Sequence, residues 1–115
     1  MVTGLSASRG PARVGTYMLV LAGHADLDTE SALTRALGEA FADLPAPEAV
    51  VVDCAGVGFC SSSGLNALLG ARRRAIAAGI AFRLAAPSSQ VTRLLQITGT
   101  DTVFTVTPDA PPASA

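Results

Sequence analysis

Apolar positions fall into short unbroken runs separated by longer stretches in which they recur every three or four residues, the alternation of buried strands with amphipathic helices. Thr16 to Ala22 reads Thr-Tyr-Met-Leu-Val-Leu-Ala and stops at Gly23. A run of that length without polar alternation predicts a central strand buried on both faces. Ala49 to Val52 is almost wholly β-branched and closes at Asp53, predicting a second buried strand parallel to the first, because a helix lies between them. Ile80–Ala86 predicts a third strand and Val103–Val106 a short last one. Leu5–Arg9, ahead of the turn-forming Gly10-Pro11, predicts an edge strand.

The stretches between carry helical spacing. Leu33, Leu37, Ala40, Phe41 and Leu44 follow the capping group Asp26 to Glu30, predicting a helix over about Thr29 to Leu44 that Pro45 and Pro47 stop. Leu65, Leu68, Leu69, Ala75 and Ile76 predict a helix entered through Ser61-Ser62-Ser63 and ended by Gly79, with Cys54 to Cys60 as the loop leading into it. Pro87-Ser88-Ser89 opens a third helix carrying Val91, Leu94, Leu95 and Ile97. The fold class is therefore α/β, a small sheet of about four to five strands packed against amphipathic helices. Residues 1–106 form the domain, and 107–115, with three prolines, form a disordered tail.

Composition narrows the chemistry. With 115 residues, 50% of them hydrophobic and 15% charged, the chain makes one folded domain. Only 4% are aromatic, so Ala, Val, Leu and Ile must fill the core. All eight basic residues are Arg, which excludes a Walker phosphate loop and Schiff-base chemistry, both of which need a Lys. A net charge of −1 and few aromatics give no footprint for direct nucleic-acid contact. Cys54 and Cys60 with the distant His24 fit neither a disulfide framework nor a metal-ligand spacing, so reduced buried thiols and no metal are expected. No apolar run approaches the roughly 18 residues of a membrane span, and Met1 to Ala12 has no signal-peptide pattern, so a cytoplasmic protein is expected. No cofactor is implied.

The stretch Val50 to Leu65 runs from a buried strand into a helix N-terminus, where free N–H groups and the helix dipole favour an anion, including a phosphate carried by a serine. Serines in this position are otherwise plain N-caps worth roughly 1 kcal/mol. Arg72, Arg73 and Arg74 point about 100° apart on their helix, so a solvated face competes with partner contact. Gly56-Val57-Gly58 lacks the third glycine of a dinucleotide loop, having Ser61 there. A serine hydrolase would need a base and an oxyanion hole, and His24 is the only histidine, with no Gly-x-Ser-x-Gly elbow, so no catalytic residue is assigned. His24 reads as a surface loop histidine and Asp53 as a loop-ordering residue.

From the first buried strand to about Val106, the order of elements resembles the STAS domain of the anti-sigma factor antagonists. The most specific part is strand, Asp, loop, then a serine pair with Gly-Leu opening a helix, here Val50 to Asp53 and Ser62-Ser63-Gly64-Leu65. Gly23 with Asp26, Arg72 to Gly79, and Gln90 to Gly99 are weaker echoes. The resemblance implies a bacterial regulatory module that binds an anti-sigma factor with ATP-dependent serine kinase activity and frees a sigma factor, until phosphorylation switches it off. A serine phosphatase would reverse the mark. The phosphoacceptor it implies is Ser62, with Asp26, Ser61, Ser63, Gly64 and Leu65 at or near the partner surface. Asp26 is equally readable as a turn or capping residue. The chain departs from the family at Ser61, where an Asp is usual, and in having a Pro-rich tail in place of a C-terminal helix. The alternative is a non-switching STAS scaffold or sensor subunit of a multi-protein stress-signalling assembly.

Overall fold

The computed structural model describes residues 4–11 and 13–109. Its elements are β1 (Leu5–Arg9), β2 (Thr16–Ala25), α1 (Glu30–Phe41), β3 (Ala49–Cys60), α2 (Ser62–Ala78), β4 (Ala81–Ala85), α3 (Ser89–Thr98) and β5 (Thr105–Thr107), with short 3-10 turns at Leu27–Thr29 and Thr100–Thr102. The strands form one mixed sheet in the order β1-β2-β3-β4-β5. β1 is antiparallel to β2, and the remaining pairings are parallel.

Each parallel pair is bridged by a helix, and all three helices bury their apolar stripes on the same side of the sheet. Leu33 and Leu37 of α1, Leu65 and Leu68 of α2, and Val91 and Leu95 of α3 share one core with Leu19, Leu21, Val50, Val52 and Leu84 from the strands. Alternation sends Met18, Val51 and Ala85 to the opposite face, where they form a separate small apolar cluster. The central strands are thus buried on both faces, as their unbroken apolar runs predict.

Four boundaries differ from the expected ones. The expected loop Cys54 to Cys60 is the second half of β3. Its pairing with β2 is irregular between Val20 and Ala22 and again between Gly23 and His24, so β3 inserts extra residues at two bulges. The positions that face the main core then run 50, 52, 54 and 57, a broken period of two that reads as loop in sequence. β2 extends to Ala25 for the same reason, to pair with Cys60. Helix α1 ends at Phe41 rather than Leu44, because Leu44 is 87% exposed and offers no burial to hold another turn. β5 takes in Thr107, one residue past the expected domain boundary, whereas Val103 lies outside it and Phe104 is buried in the core. Of the expected tail, residues 110–115 lie outside the described residues.

The core assignment is testable by truncation. Leu33 is 0% exposed, so Leu33→Ala should destabilise the fold by about 2–5 kcal/mol in urea unfolding. Ile97, at the same helical spacing but 70% exposed, should change stability by less than about 0.5 kcal/mol when replaced by Ala.

Candidate functional site

Because β2 and β3 are parallel and paired as far as Ala25 with Cys60, the next residues of both strands, Asp26 and Ser61, emerge side by side at the same end of the sheet. Ends of parallel strands with a helix starting just beyond them are where such folds gather functional groups. Asp26 caps the 3-10 turn: one carboxylate oxygen accepts from the amides of Asp28 at 3.1 Å and Thr29 at 3.3 Å. The Thr29 hydroxyl in return accepts from the Asp26 amide at 3.0 Å, closing a capping box. Asp26 is therefore a capping residue, and the turn that it holds touches α2.

The three serines have different jobs. Ser61 is the N-cap of α2, its hydroxyl oxygen accepting from the Ser63 amide at 3.2 Å. Its own amide donates to the Ala25 carbonyl at 2.9 Å, tying the helix start to β2. Ser62 is the first residue inside the helix and is exposed, and its hydroxyl makes no hydrogen bond among the described residues. Ser63 is half-buried. The Ser62 and Gly64 amides belong to the first-turn donors that a helix leaves without internal acceptors, the groups a phosphate at this end would meet.

Gly64 and Leu65 are buried and set the position of that helix start. A Cβ on Gly64 would lie 2.6 Å from the Ala25 carbonyl oxygen and 3.0 Å from the Cys60 sulfur, so only glycine lets α2 come this close to β2 and β3. Leu65 packs into the main core. Of the six residues singled out in the sequence, Ser61 and Ser62 offer the most direct chemistry. Asp26, Gly64 and Leu65 act by placing them.

Two exposed apolar side chains at the same end escaped sequence reading. Leu27 is 73% and Phe59 48% exposed. Phe59 is paired in register with His24 and meets its ring edge-on at 5.9 Å, so His24 is a strand residue rather than a loop one. The signal in sequence was an aromatic beside glycines where a buried strand should have ended, and the bulges hid it. Asp53 orders its neighbourhood by accepting from the Ala55 amide at 3.0 Å, within the strand. Gly56 lies against Ala22 in the sheet and forms no nucleotide loop. Arg73 and Arg74 are exposed, with Arg74 placed 5.4 Å over the Phe41 ring at the α1–α2 seam.

Both thiols are free, Cys54 buried and Cys60 half-buried. Burial, with smaller contributions from Cys60 and Asp53, pushes the Cys54 thiol up to about 12 from an ordinary 9.0. Burial alone pushes Cys60 up to about 11. Neither serves as a nucleophile near neutral pH. Among the described residues no cluster of His, Cys, Asp or Glu is arranged to hold a metal ion. No described helix is long and apolar enough to cross a membrane.

With this geometry in place, the family described as Mlab, STAS domain matches residues 11–107. The chain belongs to the STAS domain family. The anti-sigma-F factor antagonist RsfB of Mycobacterium tuberculosis is 36% identical over 90 residues, spanning 78% of this chain and 71% of that protein. An anti-sigma factor antagonist from Mycobacterium paratuberculosis superposes with a TM-score of 0.79 at 27% identity, covering 90% of this chain and 86% of that one. The anti-sigma factor antagonist SpoIIAA in its unphosphorylated form shares the fold, with a TM-score of 0.67 at 19% identity over 92% and 90% of the two chains. The STAS fold expected from the resemblance is thus the observed one.

Two predictions follow from the site of this STAS domain. Ser61→Ala should lower stability by about 1 kcal/mol through loss of the cap, whereas Ser62→Ala should change it by less than about 0.5 kcal/mol, both read by urea denaturation. For the thiols the folded state holds the proton more tightly than the unfolded chain, so their contribution is complete below the unfolded value of 9.0 and is lost as pH rises toward 11–12. Thermal scans from pH 8 to about 11 should show stability falling more steeply for the wild type than for Cys54→Ala.

Proposed function

We propose that this STAS domain is an anti-sigma factor antagonist, a binding protein with no catalytic step of its own, switched off by phosphorylation of Ser62. Its partner is an anti-sigma factor that is also an ATP-dependent serine kinase. Binding of the unmodified form releases a sigma factor. The observation that carries the reading is the division of labour at the start of α2: Ser61 does the capping, which leaves the Ser62 hydroxyl exposed and unengaged. The names of its relatives support the antagonist role.

In the phosphorylation step the Ser62 oxygen attacks the γ-phosphorus of ATP, its proton passes to the kinase's base, and ADP leaves. The product carries roughly −1.5 to −2 charges on an exposed helix start. First-turn amides stabilise it within this chain, so the fold persists. The docked partner, however, would have to desolvate the new charge at the end of the sheet that also exposes Leu27 and Phe59, and this opposes binding. Asp26, Asp28 and Glu30 already make this end acidic. A serine phosphatase resets the switch.

Ser61 in the place of the family's usual Asp favours a second reading, a scaffold or sensor subunit that is not switched. Titration calorimetry against the anti-sigma factor separates the two. Ser62→Ala should bind like the wild type and take up no phosphate by intact mass. Ser62→Asp should bind about 5- to 150-fold more weakly, the equivalent of roughly 1–3 kcal/mol. Phosphate found only on Ser61 or Ser63, or equal affinity of all forms including the phosphoprotein, would leave the scaffold reading in front.

A further inference from the structure

We propose that β1 is a self-association edge, through which two copies of this chain pair antiparallel about a two-fold axis centred on Ala7. The inference is independent of the switch at Ser62. In β1 the backbone groups used toward β2 are those of alternate residues: the Gly4 carbonyl accepts from the His24 amide and the Gly10 amide donates to the Met18 carbonyl, both at 2.8 Å. With the register Ser6 to Ala22 and Ser8 to Val20, the even-numbered residues face β2. The N–H and C=O groups of Leu5, Ala7 and Arg9 therefore point away from the sheet. No strand among the described residues meets them.

An isologous pairing centred on Ala7 sets Ala7 against its own copy and Leu5 against Arg9 in both directions. All the outward groups are then used, in about six backbone hydrogen bonds. The outer part of the strand, Ser6-Ala7-Ser8, reads the same both ways, so small side chains meet small side chains. An axis perpendicular to the sheet keeps both helix layers on one face.

The devices that normally protect an edge are missing here and present at the other edge. Leu5–Arg9 contains no proline, and its pairing with β2 has no bulge. Its only charge, on Arg9, is held by Asp43 at 2.9 Å and lies 4.2 Å over the Tyr17 ring. At the far edge, β5 is three residues long and runs into Pro108. The sheet is thus blunted on one side and open on the other.

A short edge makes a weak and reversible contact, so the test is sedimentation velocity with light scattering across a concentration series up to about 1 mM. The weight-average mass should climb from 11.5 kDa toward twice that value. Ala7→Pro removes one outward N–H from each copy and leaves the β1–β2 bonds intact, a substitution that edge strands tolerate. It should hold the mass at the monomer value with an unchanged circular dichroism spectrum. A wild type that stays monomeric throughout overturns the proposal, as does an Ala7→Pro protein that is folded and still dimerises. Should Ala7→Pro unfold, Ala7→Cys decides: hydrogen-bonded antiparallel partners lie about 5.5 Å apart at Cα, within disulfide reach. Mild oxidation should then give a covalent dimer that the wild type, with its two shielded thiols, does not form. Absence of that dimer also overturns the proposal.

Discussion

The parallel pairing of β2 with β3, carried through two bulges to Ala25 and Cys60, is the constraint on which the rest of the structure depends. It brings two chain segments far apart in sequence to the same level at one end of the sheet. Helix α2 can start there only because Gly64 leaves room against the Ala25 carbonyl. The start is then pinned twice, by the Ser61 amide on that same carbonyl and by the Ser61 hydroxyl on the Ser63 amide. With both ties in place, the orientation of Ser62 follows from helix geometry and leaves its side chain outside.

A modification site needs a reactive group that is accessible and a scaffold that does not need that group. Capping and acceptance on one serine would conflict, since a phosphorylated cap can no longer hold its helix in the same way. Here capping falls on Ser61, and the acceptor duty proposed for Ser62 would fall on its neighbour. An Asp in place of Ser61 would cap the helix equally well while adding a charge next to Ser62. The serine keeps the cap and leaves the neighbourhood less negative.

Much of this was legible in the chain. Unbroken apolar runs marked β2 and the first half of β3, a short apolar stretch interrupted by Arg83 marked β4, and three- and four-residue spacing marked all three helices, because burial against a single core dictates those periods. Gly79 was readable as the end of α2, and it does close that helix in a left-handed conformation with φ of 71°; Gly99 closes α3 in the same way, with φ of 74°, which the sequence reading did not assign. What could not be read was the second half of β3. Two bulges break its alternation, and Gly56 and Gly58 carry a loop's composition, although Gly56 is there to admit the neighbouring strand. Leu27 and Phe59 were lost with it, because exposure of an apolar side chain depends on how elements are placed rather than on local pattern. The role of Asp26 was also open in sequence, since a capping carboxylate and a surface one have the same letter.

The order of strands in the sheet is the order of strands in the chain. No strand inserts between two that were made earlier, and none waits for a partner beyond its immediate neighbour in sequence. Each helix returns the chain to the next free edge, so the distances that must be closed are those of single strand-helix-strand units. The connections from β2 to β3, β3 to β4 and β4 to β5 are of similar length, so loop closure opposes each step by about the same amount. The domain can therefore assemble by successive addition, with the β2–α1–β3 unit as a sufficient beginning and the α2 start completed once Cys60 has found Ala25.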